Sequence, residues 1–152
     1  MKKGEGYKTD VIQTTEKMIF YFSSIGEQGE INKIIEFAYL YGNLWNLGFG
    51  DIKGDDWEDN VISNNNDFRI ILQTIANTVH DFFEKYPEQD IQIVPLDYQR
   101  KLLYNRLFQQ RWHEIDDLFI VKGIVKSDNT TEIVAFNPKI MFDEFVICKK
   151  KA

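Results

Sequence analysis

One segment of the chain, between Asn66 and Pro87, has the strongest periodicity in the sequence. Apolar side chains recur there at the i, i+3, i+4 and i+7 spacing of one helical face, at Phe68, Ile71, Leu72, Ile75, Val79, Phe82 and Phe83. Asn66 or Asp67 can cap the start of a helix, because their side chains accept backbone hydrogen bonds. Pro87 marks its end. The segment therefore predicts a long helix with one apolar face, and the flanking segments decide what that face packs against.

The segments before this helix predict strands. The stretch "KMIFYFSSIGEQGEINKIIEFAYL" predicts a hairpin with arms Ile19 to Ser23 and Ile31 to Leu40, joined by a turn at Gly26 to Gly29. "LWNLGF" alternates large apolar side chains with other residues, which predicts a third strand.

The segments after the helix predict one more helix among further strands. "DIQIVP" predicts a short buried strand, and Asp97 can cap a second helix from Tyr98 to about Trp112. "LFIVKGIV" and "EIVAF" predict a second hairpin, and Phe145 to Cys148 a last strand. The predicted order before that last strand is β-β-β-α-β-α-β-β. We therefore expect an α+β (mixed α/β) fold in a single domain over residues 1–152, with a mostly antiparallel sheet and two main helices.

Composition limits the classes of function. No run of about eighteen apolar residues is present, so we expect no membrane span. The single cysteine, Cys148, predicts a reducing compartment, and we expect a cytoplasmic protein. The net charge of −6 disfavours non-specific binding of nucleic acid.

The charges are unevenly distributed along the chain. Six acids and one base lie between Asp51 and Asp67, whereas four bases and no acid lie between Tyr98 and Trp112. An acidic loop and a basic helix of this kind could face each other, face another copy of the chain, or serve different partners.

The acidic loop does not match a known calcium loop. An EF-hand that starts at Asp51 would place Lys53 third, where an acid or amide is required, and Ile62 twelfth, where a glutamate is required. A looser Ca²⁺ or Mg²⁺ site stays open, formed by Asp51, Asp55, Asp56 and Asp59. We favour a solvated loop that binds a partner and no metal. Asp51 itself either accepts backbone hydrogen bonds at a strand end or lies at the mouth of a pocket.

The basic helix supplies the other candidate ligand residues. Arg100 and Arg111 lie on one helical stripe with Tyr104, and arginine can bind phosphate or carboxylate with two hydrogen bonds. Trp112 adds a ring on which a base could stack. The alternative is an outer face whose arginines pair with the acidic loop.

The order of elements resembles the conserved half of the GNAT-type N-acetyltransferases. That resemblance implies that the start of the first helix holds the acetyl-CoA pyrophosphate and that Tyr104 is the general acid. The matching stretch here, "NVISNNNDFRI", has no glycine and places Asp67 at the helix start, where negative charge disfavours phosphate.

A closer resemblance is to a family of small uncharacterised bacterial proteins with GNAT-like phage relatives. The shared segments are "YFSSIGEQGEI", "NLGFGD", "LQTIANTVHDFFEKYP" and an RxxLY motif that ends at Tyr104. That resemblance implies a setting in bacterial defence, phage or toxin–antitoxin systems.

These features lead to two hypotheses. The first is a non-catalytic binding or interaction protein on a GNAT-like scaffold, with no cofactor and with another protein or a second copy as its partner. The second is an acyl-CoA-dependent N-acyltransferase with an atypical cofactor loop and Tyr104 as proton donor. A sheet that separates between its third and fourth predicted strands would favour the enzyme.

Overall fold

The computed structural model describes residues 4–54, 56–58 and 67–150, the middle range by its backbone alone. The strands are β1 (Asp10–Gln13), β2 (Lys17–Gly26), β3 (Gly29–Tyr41), β4 (Leu44–Lys53), β5 (Asp56–Glu58), β6 (Asp90–Ile93), β7 (Phe119–Lys126), β8 (Thr131–Ala135) and β9 (Glu144–Lys149). The helices are α1 (Phe68–Lys85), α2 (Tyr98–Gln110) and α3 (Trp112–Asp116). The fold is mixed α+β with a mostly antiparallel sheet, as the sequence predicts.

The strands follow the hydrogen-bonded order β1-β2-β3-β4-β6-β9-β7-β8, and β5 pairs with β4. The pairing of β4 with β6 is parallel and joins Leu44–Asn46 to Asp90–Gln92. The described residues form two compact units. The α1 unit comprises residues 4–39, 47–54, 56–58 and 67–87, and the α2 unit comprises residues 40–46 and 88–150.

Alternation along β2 and β3 builds the core of the α1 unit. Phe20 lies opposite Ile35 and Met18 opposite Phe37, so these four side chains project from one face of the hairpin. The apolar face of α1 covers them, and the Phe37 and Phe82 rings stack at 4.7 Å. The other buried apolar residues of this unit are Phe22, Ile34, Phe49, Ile71, Val79 and Phe83.

The core of the α2 unit is centred on aromatic rings. Phe108 of α2 stacks on Phe145 of β9 at 4.5 Å. The Asn105 amide donates to the Phe142 carbonyl at 2.9 Å and accepts from the Phe142 N–H at 2.8 Å, so a buried polar side chain holds the chain before β9. The other buried apolar residues are Trp45, Ile91, Phe119, Val121, Ile124, Phe136 and Ile147.

Most predicted elements are confirmed, and three details differ. The second predicted helix ends at Gln110, and α3 is a separate short helix after Arg111. The strand β1 was not predicted, because its four residues are all exposed and carry no pattern of burial. Nor was β5, which has only three residues. The single-domain and GNAT-like assignments stay predictions. No helix in the described part of the chain is long and apolar enough to cross a membrane.

Candidate functional site

A cluster of polar side chains lies at the start of α1. Asp67 precedes the helix and is buried, and its Oδ2 atom accepts hydrogen bonds from the Tyr7 hydroxyl at 2.6 Å and from the Ser24 hydroxyl. The Tyr7 oxygen also accepts from the Ile25 N–H at 3.1 Å. Burial, and then the hydrogen bond to Asp67, raises the pKa of the Tyr7 phenol above its ordinary value. Tyr7 therefore stays protonated at neutral pH and keeps donating to the carboxylate.

The N-terminal segment brings Tyr7 to this cluster by docking on α1. The Gly4 N–H donates to the Asn77 amide oxygen, and the Asn77 amide donates back to the Gly4 carbonyl. The Tyr7 N–H donates to Thr74 Oγ1 at 2.8 Å. A Cβ at Gly6 would lie 2.9 Å from the Thr74 backbone, so glycine permits this close approach.

A buried ion pair lies beside this cluster in the α1 unit. Lys33 Nζ binds the Asp51 carboxylate, and the side chains of the two residues are 0% and 5% exposed. The Lys33 ammonium also lies 5.6 Å from the centre of the Phe49 ring. In the β2–β3 register Lys33 is opposite Phe22, so it shares the sheet face that carries Ser24. Asp51 thus neutralises a buried cation, and its predicted roles at a strand end or in partner binding stay predictions.

One oxygen of the cluster is not hydrogen-bonded. Asp67 Oδ1 is buried and has no partner within the described ranges. The α1 N–H groups are not capped by this side chain either. A carboxylate thus occupies the helix start, where the positive end of the helix dipole would otherwise favour a ligand anion.

A cavity of about 470 Å³ lies along the hairpin of β2 and β3. Its lining combines charged, polar and aromatic side chains: Tyr7, Lys8, Asp10, Tyr21, Phe22, Ser23, Asn32 and Ile52. The Ser23 hydroxyl donates to the Asn32 amide oxygen at 3.0 Å, which orients that amide. The cavity lies wholly within the α1 unit.

The two candidate arginines of α2 bind acids close to them in sequence. Arg100 pairs with Asp97, which also caps the helix through the Arg100 N–H at 2.9 Å. Arg111 pairs with Glu114 at 3.3 Å. These i,i+3 pairs reduce the positive charge that the helix presents to a partner.

The remaining site predictions concern Tyr104, Trp112 and three acids of the acidic loop. Tyr104 is half-buried on α2, and Trp112 packs on Phe136 with ring centres 4.5 Å apart, so its ring contacts the core of its own unit. Asp55 and Asp59 lie outside the described residues, and Asp56 is described by its backbone in β5. Their role as a partner-binding loop therefore stays a prediction.

Cys148 does not provide an activated nucleophile. Burial, and then a hydrogen bond to Asp90, raises the pKa of its thiol to about 11. The thiol is therefore protonated at neutral pH, and it is the thiolate that reacts. Within the described ranges, no group of three or more His, Cys, Asp or Glu side chains could hold a metal ion.

Comparison with known proteins assigns a family. A family model described as a family of unknown function, DUF6934, matches residues 3–150. The chain belongs to the DUF6934 family. No curated protein and no solved structure matches it.

The most unusual polar residues of this DUF6934 chain were not predicted. Lys33 interrupts a run of apolar residues on one strand face and Ser24 directly follows such a run, which is a visible signal of a buried polar group. Tyr7 gives no comparable signal, because it precedes the first strand and reaches Asp67 from 60 residues away.

Proposed function

We propose that this DUF6934 protein is a non-catalytic binding or interaction protein on a GNAT-like scaffold, with another protein or a second copy of the chain as its partner. The observation that carries the proposal is the buried Asp67 carboxylate at the start of α1, held by Tyr7 and Ser24.

A bound acyl-CoA would place its pyrophosphate at this helix start. Phosphate groups bind there through free N–H groups and the positive end of the helix dipole. Asp67 instead brings a negative charge, and Tyr7 and Ser24 are committed to that charge rather than to a ligand. The expected cofactor site is therefore electrostatically unfavourable for phosphate.

The edge strand β8 supports an interaction with another chain. It lies at the end of the strand order, and all five of its residues are exposed, with Ile133 at 62%. Edge strands offer unpaired N–H and C=O groups to a further strand, and charged or proline residues usually prevent this. Glu132 is the one charged residue of β8, and β8 contains no proline.

The alternative is an acyl-CoA-dependent N-acyltransferase with Tyr104 as proton donor. One observation favours it: the parallel pairing of β4 with β6 joins only Leu44–Asn46 to Asp90–Gln92. A sheet that separates at this point is the arrangement expected for the enzyme.

Thermal unfolding with and without millimolar acetyl-CoA tests whether the protein is a non-catalytic binding protein or an acyltransferase. A ligand at about 100 times its Kd stabilises the folded state by about 2.7 kcal/mol, and each kcal/mol raises Tm by roughly 2–4 °C in a chain of this size. We expect no shift for the natural chain. A clear rise in Tm would contradict the proposal, and loss of acetyl transfer in Tyr104→Phe would then identify the enzyme.

Sedimentation equilibrium tests the second-copy form of the interaction. We expect a mass that rises with concentration and returns to the monomer in Ile133→Lys, because a buried lysine at a strand pair disfavours association. Asp128→Lys, which adds positive charge at an exposed turn, is the matched control and should leave association unchanged. A monomer at every concentration would leave a different protein as the partner.

A further inference from the structure

We propose that the cavity of the α1 unit binds a small zwitterion, a molecule that carries both an ammonium and a carboxylate, such as a free amino acid with an apolar side chain. This ligand site goes beyond the proposed function, and it does not depend on a protein partner.

The register of the hairpin places the polar wall of the cavity on one sheet face. Asp10 lies opposite Tyr21, and Ser23 lies opposite Asn32. Side chains alternate along β2, so Tyr21 and Ser23 face away from the side that α1 covers. The cavity is therefore reached from solvent and not through the core.

The charged groups of the cavity match both ends of a zwitterion. Lys8 and Asp10 are exposed, lie two residues apart, and have no ion-pair partner among the residues that the structure describes. The Ser23 hydroxyl binds the Asn32 amide oxygen at 3.0 Å, which leaves the Asn32 amide N–H groups to donate. A ligand carboxylate can therefore bind Lys8 and Asn32 while its ammonium binds Asp10.

The rest of the lining is suited to an apolar group. Ile52 and Tyr21 are half-buried and line the cavity. Phe22 also lines it, although its side chain lies on the sheet face that α1 covers. Tyr7 lines the cavity as well, with its hydroxyl bonded to Asp67 and its ring stacked on Phe22 at 5.6 Å. The volume of about 470 Å³ lies within the range of small-molecule sites.

A ligand with a single charge fits less well. An anion that approaches Lys8 is repelled by Asp10, and a cation that approaches Asp10 is repelled by Lys8. A zwitterion avoids both repulsions, so charge complementarity selects it over either ion alone.

Isothermal titration calorimetry with four related probes tests the proposal. Leucine carries both charges, N-acetyl-leucine lacks the ammonium, leucinamide lacks the carboxylate, and N-acetyl-leucinamide lacks both. We expect leucine to bind most tightly and each cap to weaken binding about two- to five-fold, since the charged groups are solvent-exposed. Equal binding of all four probes, or binding of none, would overturn the proposal, as would inorganic phosphate or methylammonium binding as tightly as leucine.

Two variants assign each charge to its end of the ligand. Lys8→Gln should remove the preference for leucine over leucinamide, and Asp10→Asn the preference for leucine over N-acetyl-leucine. Lys139→Gln and Asp128→Asn make the same changes at exposed positions of the α2 unit and should leave all preferences intact. If both cavity variants kept the preferences of the natural chain, the assignment would be wrong. Because Lys8 and Asp10 are exposed, both variants should fold, which equal Tm values would verify.

Discussion

At the scale of single residues, the pairing of Lys33 with Asp51 carries a desolvation penalty. Both side chains are removed from water, and the desolvation of two charges offsets much of their attraction. A cation–π contact between the ammonium and the Phe49 ring offsets part of this desolvation penalty. The pair is tolerated because each charge neutralises the other within an apolar face.

Removing one member of this pair should be far more harmful than removing both. Asp51→Ala leaves a buried ammonium without its partner, and we expect a loss of about 3–5 kcal/mol in the free energy of unfolding. Lys33→Met combined with Asp51→Val should lose much less than the sum of the two single changes, as urea denaturation would measure. Lys17→Met is the control, because Lys17 pairs with Glu36 at 3.6 Å on the surface and should cost less than about 1 kcal/mol. Additive losses in the double variant would contradict this account.

At the scale of elements, the packing of β7 depends on a glycine. Gly123 lies opposite Phe145 of β9 and Val134 of β8, and a Cβ there would overlap the Phe142 ring. Phe142 is fully buried and its backbone is held by Asn105, so a displaced ring would have to enter a packed core. The requirement for glycine here comes from close packing, since its φ is not in the positive region.

Gly123→Ala should therefore destabilise the protein. We expect a loss of about 1–3 kcal/mol, typical of overpacking in a dense core, measured by chemical denaturation. Adding Phe142→Leu should recover part of that loss, because the smaller side chain makes room for the new methyl group. Lys122→Ala, at the exposed neighbouring position, should stay within about 0.5 kcal/mol. If the double variant were no more stable than Gly123→Ala alone, the contact with the Phe142 ring would not be the source of the strain.

At the scale of the whole molecule, carboxylates paired in the folded state link stability to pH. Asp143 accepts from Lys101 Nζ and from the Lys126 N–H, each at 2.7 Å, and so ties α2 to β7. The hydrogen bond from Lys101, followed by that from the Lys126 backbone, lowers the pKa of Asp143 below its ordinary value. The folded state therefore favours the charged form of this side chain.

This shift sets the direction of a pH effect. The stabilisation is present above the pKa of Asp143 in the unfolded chain and is lost as pH falls through its lower pKa in the folded state. Asp143→Asn should thus be less stable than the natural chain at neutral pH, by about 1 kcal/mol or less for a partly exposed pair. The difference should shrink in acid, as denaturation over a pH series would show. If the difference in the free energy of unfolding between the two proteins were the same at every pH, the Asp143 charge would not have this role.

The sequence by itself determined the local elements. The helical spacing of apolar residues from Phe68 to Phe83 and the alternation in β2 and β3 are properties of neighbouring residues, and hydrophobic burial acts on them directly. The helix, the two hairpins and the mixed α+β class could be predicted for that reason. The exposed strand β1 could not, because no burial pattern distinguishes it.

Tertiary structure alone decided the buried polar contacts of the α1 unit. The sequence identifies Asp51 as one of several acids in a charged segment, but it does not identify Lys33 as its partner. The pairing of the strands brings these two side chains together. Tyr7 and Asp67 are likewise joined across 60 residues. A buried charge or hydroxyl must find whichever partner the packed chain brings within hydrogen-bond distance, and that distance is set only when the strands and α1 have assembled.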